Sequence, residues 1–165
     1  MKKNNSILFC FFGNIILQIL ILNQFLFSNW INPYYYIIFI LFLPIKTRFI
    51  LVVLSSFLIG IFVDVGSGTL STTGPIHAFS SLFLGYFRPK YIKLISSRGN
   101  NLNDFNFDNL SLGRIVTYLT LTTIFHHFIL FLFSGLNLKN VLISTFLSSL
   151  FTIFLLISSY YIFKK

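Results

Sequence analysis

Residues 49–77 read FILVVLSSFLIGIFVDVGSGTLSTTGPIH, and this stretch decides the class of the fold. From Phe49 to Val63 no residue carries a charge. Asp64 then ends the run, a Gly/Ser/Thr-rich turn follows, and Pro75 opens a second apolar segment. In one place this pattern fits a buried helix. Repeated along a whole chain it needs another solvent. The chain has 165 residues, 56% hydrophobic and 9% charged, whereas soluble domains carry about 25% charged residues. A core built from so short a chain cannot bury that much apolar surface, so hydrocarbon must take the rest.

Six apolar segments predict an all-α, polytopic membrane helix bundle of about six transmembrane helices in one integral membrane domain, residues 1–165. They are Ile7–Phe27, Ile31–Ile45, Phe49–Val63, Pro75–Phe87, Ile115–Phe133 and Val141–Phe163. The first follows Met1-Lys2-Lys3 like a signal peptide. It is too long for one and lacks a small-residue cleavage site, so it reads as a retained helix. Segments two to four are short. At about 1.5 Å per residue, fifteen residues cover only some 22 Å. They are expected either to extend through less apolar turns or to pack inside the bundle.

The net charge of +9 would suggest nucleic acid in a soluble protein. Here the cations flank the apolar runs, where they set orientation. With alternating segments, one side holds Lys2, Lys3, Lys46, Arg48, Arg88, Lys90, Lys93, Arg98, Arg114, Lys164 and Lys165; the other holds Lys139 alone. This bias predicts both termini and the loop 88–114 in the cytoplasm. No nucleic-acid partner is expected. The lone Cys10 cannot form an intrachain disulfide. The 23 Phe residues read as lipid-facing filler.

The acids are Asp64, Asp104 and Asp108. The last two lie in the Asn-rich stretch 96–114, a solvated connection. Asp64 sits at the edge of membrane depth, where an acid is costly unless paired or wetted. Gly66 and Gly68 allow positive φ nearby. Thr73 or Gly74 is expected to cap the helix that Pro75 begins. Asp64 is therefore predicted to clamp this turn to the start of the next helix, a role favoured over catalysis because no second acid or metal-ligand set lies close in sequence. His126 and His127 point about 100° apart on a helix and cannot grip one metal together; a site would need His77 as well. Asn14 and Gln18 in the first segment, Thr120, Thr123 and His127 in the fifth, and Ser144, Ser148 and Thr152 in the sixth read as interhelical packing faces. No phosphate loop, nucleophile elbow or thiol pair is present, and neither a cofactor nor a metal is called.

From about Phe57 to Pro89 the chain resembles the rod shape-determining protein MreD family, in its Bacteroidetes form. The resemblance is carried by Gly60, Asp64, Gly66, Ser67, Gly68, Gly74, His77, Ala78, Tyr86, Arg88 and Pro89. Gln18 and the opening Ile31-Asn32-Pro33-Tyr34 add to it. It implies a non-enzymatic, multi-pass inner-membrane scaffold of the cell-elongation, peptidoglycan-building complex. The expected partner is an MreC-like bitopic membrane protein, reaching MreB and the RodA–transpeptidase pair indirectly. It also implies a fold similar to the membrane substrate-binding component of energy-coupling-factor transporters. Asp64, Gly66, Gly68, Gly74, His77, Tyr86, Arg88, Pro89 and Gln18 become candidate structural or partner-binding residues. The long 88–114 loop departs from the family pattern. A vitamin-type transport component, with a cavity lined by Asp64, His77 and the serines of the last segment, is the alternative. An intramembrane hydrolase using Asp64 and a histidine is a third reading.

Overall fold

The computed structural model describes residues 2–24, 31–96, 107 and 110–163, the side chains of 2–6 and 163 excepted. Every element among them is a helix: α1 (Lys2–Leu20) with a 3-10 turn at Leu22–Gln24, α2 (Ile37–Phe42), α3 (Phe49–Ser67), α4 (Thr69–Thr72), α5 (Ile76–Ile95), α6 (Leu112–Phe133) and α7 (Leu138–Phe163). Four stretches are long and apolar enough to cross a membrane: Ile7–Gln24, Phe49–Ser67, Leu112–Phe133 and Leu138–Ile162. Their outward faces are hydrocarbon-like, with Leu142, Phe146, Leu150 and Phe154 recurring every four residues on α7 and Phe9, Phe12, Ile16 and Leu20 exposed on α1. This is a helical membrane protein.

α5 lies between α3 and α6, and α6 packs on α7. α3 and α5 run antiparallel, because Asp64 meets His77 while Ser56 meets Gly85. The close approach depends on glycine. A Cβ on Gly60 would stand 2.5 Å from the Ala78 Cα and from the His77 carbonyl oxygen. Gly85 leaves room for Ser56 in the same way, and Gly66 for Ile19 of α1.

Three sequence expectations need correction. The stretch Ile31–Ile45 is not a spanning helix. It has one and a half turns of helix, α2, preceded by non-helical backbone at 31–36. It is nevertheless among the most buried parts of the chain: Tyr36, Ile37, Ile40 and Leu41 are fully enclosed. It runs alongside α7, since Asn32 touches Ser148, Tyr34 touches Thr152, and Phe42 stacks on Tyr160. Pro33 and Pro44 bracket it and prevent the helix from extending.

Second, the loop expected over 88–114 begins as helix. α5 continues through Pro89 to Ile95, so Arg88, Lys90 and Lys93 are helical residues. Third, α3 outlasts Asp64 by three residues and ends where Gly68 turns left-handed at φ 73°. The single turn α4 and Gly74 (φ 85°) complete the reversal. Pro75, not Thr73 or Gly74, occupies the position before α5.

Asp104, Asp108, Arg98, the end of the first apolar segment at 25–27, and most of 96–114 lie outside the described residues. So do the side chains of Lys2, Lys3, Lys164 and Lys165. Among the described residues, Lys46, Arg48, Arg88, Lys90, Lys93 and Arg114 belong to one end of the bundle, and Lys139 to the other.

Gly60→Ala is expected to lower the thermal unfolding midpoint of the detergent-purified protein, at a cost of about 1–3 kcal/mol for forcing α3 and α5 apart. Gly13→Ala, where a Cβ meets nothing within 4 Å, is expected to leave the midpoint unchanged or raise it. Equal losses would show that the glycine contact does not set the helix spacing.

Candidate functional site

Asp64 lies in the last turns of α3, fully buried. Four donors converge on its carboxylate. Oδ1 accepts from Thr69 Oγ1 at 2.7 Å, from the His77 backbone N–H at 3.1 Å and from His77 Nδ1 at 2.8 Å; Oδ2 accepts from the Ala78 N–H at 2.8 Å. The two backbone donors are free because they open α5. The carboxylate thus sits where α5's dipole favours negative charge. Because an ionised carboxylate only accepts, His77 Nδ1 carries a proton. Asp64 is a clamp on this turn, built from a charge and a helix start.

Next to this clamp lies a second cluster. The Tyr34 ring packs edge-on to His77 at 5.2 Å between centroids and also touches His127 at 5.2 Å. The protons of the cluster can be assigned from its hydrogen bonds. His127 Nδ1–H donates to the Thr123 carbonyl, 2.9 Å away. Its Nε2 is then an acceptor for the Thr152 hydroxyl at 3.1 Å, and Thr152 Oγ1 in turn accepts the Tyr34 N–H. Ser81 donates to the Tyr36 hydroxyl, which shares a hydrogen bond with His126 Nε2 at 2.9 Å. Ser80 donates to the His77 carbonyl and also lies 3.1 Å from His126 Nε2. Among the described residues His126 Nδ1 is left without a partner, as are Thr123 Oγ1, Thr145 Oγ1 and Ser149 Oγ.

Gln18 and Arg88 share a different task. The non-helical backbone of 31–36 and the exit of α2 have no helical partners of their own. Gln18 donates to the Pro33 carbonyl at 2.9 Å and accepts the Tyr36 N–H. Ser148 accepts the Asn32 N–H at 3.1 Å. At the far end, Arg88 Nε donates to the Leu41 carbonyl at 3.3 Å, its Nη2 donates to the Leu43 carbonyl, and the Tyr118 hydroxyl donates to Leu41. Non-helical backbone survives at membrane depth only when protein satisfies it, and these side chains do so.

The candidate residues therefore fall into separate places. Asp64 and His77 form one centre with the turn shaped by Gly68 and Gly74, and Gly66 seats Ile19 of α1 beside it. Arg88 is eleven residues along α5 from His77, about 16 Å of helix. Tyr86 is 52% exposed against Phe49 and Phe87. Pro89 is exposed too; lacking an N–H, it frees the Gly85 carbonyl from its usual helical bond. Asn14 donates within its own helix to the Cys10 carbonyl rather than to another helix. Thr123 joins His127 through its carbonyl, and Ser148 and Thr152 bond the 31–36 backbone.

Sequence reasoning missed Tyr36, Ser80, Ser81 and Tyr118, and it gave Tyr34 only as part of the resemblance. The available signal was the Pro33–Pro44 bracket, which implies backbone groups in need of side-chain partners. Among the described residues no group of three His, Cys, Asp or Glu could hold a metal ion. Ser80 touches His126, while Asp64 bonds His77, so the acid does not orient the histidine beside the serine. No protein-family model, curated protein or solved structure matches this chain.

Asp64→Asn keeps the shape but turns one oxygen into a donor facing donors. Each hydrogen bond to a charged group is worth about 1.5–3 kcal/mol. The variant is expected to lose thermal stability on that scale and to expose the 68–75 turn to protease. An unchanged midpoint would remove the clamp.

Proposed function

We propose that this protein is a membrane scaffold of the bacterial cell-elongation machinery, of the MreD type, whose output is binding. The observation that supports this reading is the use made of the resembling stretch. Gly60, Asp64, His77 and Arg88 are spent inside the bundle, on helix contact, helix capping and the clamping of 31–45. A stretch employed in holding one shape suits a platform that presents its outer faces to a partner. In this reading the chain crosses the inner membrane six times, with the interrupted segment 31–45 and α5 as the second and fourth crossings. The cationic end faces the cytoplasm, in keeping with the distribution of Lys and Arg. The partner is an MreC-like bitopic protein that engages the outer faces and, through it, MreB and the RodA–transpeptidase pair. A bundle similar to the energy-coupling-factor substrate-binding component fits the same proposal.

One observation favours a second reading, a small-molecule membrane carrier. His126 Nδ1, Thr123 Oγ1, Thr145 Oγ1 and Ser149 Oγ are buried on α6 and α7 without partners among the described residues. Each such group costs about 1–3 kcal/mol, and a polar guest between the two helices would relieve that cost.

Depletion in a rod-shaped host is expected to turn rods into spheres, and affinity purification is expected to recover a bitopic coiled-coil membrane protein. Normal rods after clean deletion would overturn the scaffold reading. A rise in unfolding midpoint with one member of a panel of water-soluble vitamins would instead favour the carrier.

A further inference from the structure

Arg88 does two things that its clamping role does not account for. It is 2% exposed, yet no carboxylate among the described residues meets it; the one ion pair there joins Asp64 to His77 at the opposite end of α5. Its partners are neutral: the Leu41 and Leu43 carbonyls, with the Tyr118 hydroxyl beside the guanidinium. The carbonyls closing α2 supply only the partial negative charge of a helix C-terminus. A whole positive charge is therefore left mostly uncompensated in a poorly solvated place, where it is costly. In addition, Nη1 donates to no acceptor among the described residues, and it is not among the polar atoms sealed inside the bundle. The little of Arg88 that is exposed is thus assigned to the Nη1 edge of the guanidinium.

The surroundings of that edge are cationic. One residue after Leu43 the chain makes a turn, closed by the Thr47 N–H on the Pro44 carbonyl at 3.0 Å. This turn carries Lys46, and Arg48 follows it at the start of α3. Lys90 and Lys93 stand on the same end of α5, and Arg114 begins α6. Lys90 also lies over the Phe87 ring, 4.8 Å from its centroid. The described residues place no acid at this end.

The geometry points to a phosphate-binding site at the free edge of Arg88, completed by Lys46 from the 44–47 turn. A guanidinium edge matches two oxygens of a phosphate, and the lysine adds a point charge. Clamping and binding are coupled. Arg88 holds the 31–45 segment through Nε and Nη2, and an anion at Nη1 offsets the charge it carries there, so an occupied site steadies the interrupted segment. The phosphate is that of an anionic lipid headgroup in the adjacent leaflet or a free phosphate ion. The site does not depend on which function above is correct.

The test uses the purified full chain in a maltoside detergent and a phosphate-free buffer, given phosphatidylglycerol or millimolar inorganic phosphate. Bound lipid is counted by native mass spectrometry, and unfolding midpoints are followed. A headgroup site retains a single phosphatidylglycerol saturably. Lys46→Gln weakens that retention about five-fold, the effect of one nearby cation, and Lys139→Gln leaves it unchanged. A free-ion site shows instead a midpoint raised by phosphate alone, again lost in Lys46→Gln. Arg88→Lys keeps the charge without the fork and should weaken either response; if it does not fold, the Lys46 arm decides. The proposal is overturned if neither probe has an effect. It is also overturned if phosphatidylglycerol binds without saturation and Lys93→Gln weakens it as much as Lys46→Gln, because diffuse attraction to a basic surface then accounts for everything.

Discussion

The whole arrangement depends on one constraint: backbone N–H and C=O groups enclosed among apolar helices must find partners. A helix satisfies its own. The stretch 31–36 does not, because Pro33 withholds a donor and biases its neighbour away from helix. Its placement at the centre of the bundle therefore dictates what surrounds it. Gln18 must come from α1 and Ser148 and Thr152 from α7, while Arg88 of α5 and Tyr118 of α6 serve the carbonyls at the exit of α2 in the same segment. Four separate helices converge on one strip of main chain. That convergence gives the bundle a defined register which apolar faces alone do not specify.

The two charged side chains solve a related problem at opposite ends of α5. Asp64 meets the free N–H groups that open α5, while Arg88 meets the free carbonyls that close α2. Each sets a full charge against the partial charge of a helix terminus. Asp64 has His77 as a further partner and is well compensated. Among the described residues Arg88 has no such partner. This asymmetry makes the Asp64 end a closed structural unit and the Arg88 end an open one.

Much of this was legible in the sequence. The helical membrane class followed from composition, and the importance of Asp64 followed from an acid at the end of an apolar run beside glycines. The segregation of cations is visible in every described Lys and Arg position. What could not be read was the interior of 31–45. Its fifteen residues have a helix's hydropathy, and only its short length and bracketing prolines hint at a break. Hydropathy reports whether a residue leaves water, not whether its backbone is helical. For the same reason Gln18 and Ser148 looked like helix-to-helix contacts, when they bond main-chain groups of 31–36; Thr152 does both, meeting that backbone and His127 of α6. Arg88 looked like a flanking charge because its helix was expected to stop there; Pro89 suggested an end, yet the helix tolerates it next to the small Gly85.

Magnitudes rank these ties. Neutral side-chain hydrogen bonds between membrane helices average only about 0.6 kcal/mol, because the separated helices find other partners. Thr152 on His127 is of this kind and contributes little on its own. The bonds to 31–36 are different, since their absence would strand a backbone group rather than merely forgo a gain. Bonds to charged groups are worth two or three times as much as neutral ones. The energetic hierarchy is therefore Asp64 and Arg88 first, the partners of the broken segment second, and the remaining Ser and Thr contacts last. A bundle pinned mainly at two charged points, about 16 Å apart along α5, is stiff where its pin is neutralised and adjustable where it is not. In this chain the adjustable pin is the one that holds the exit of α2.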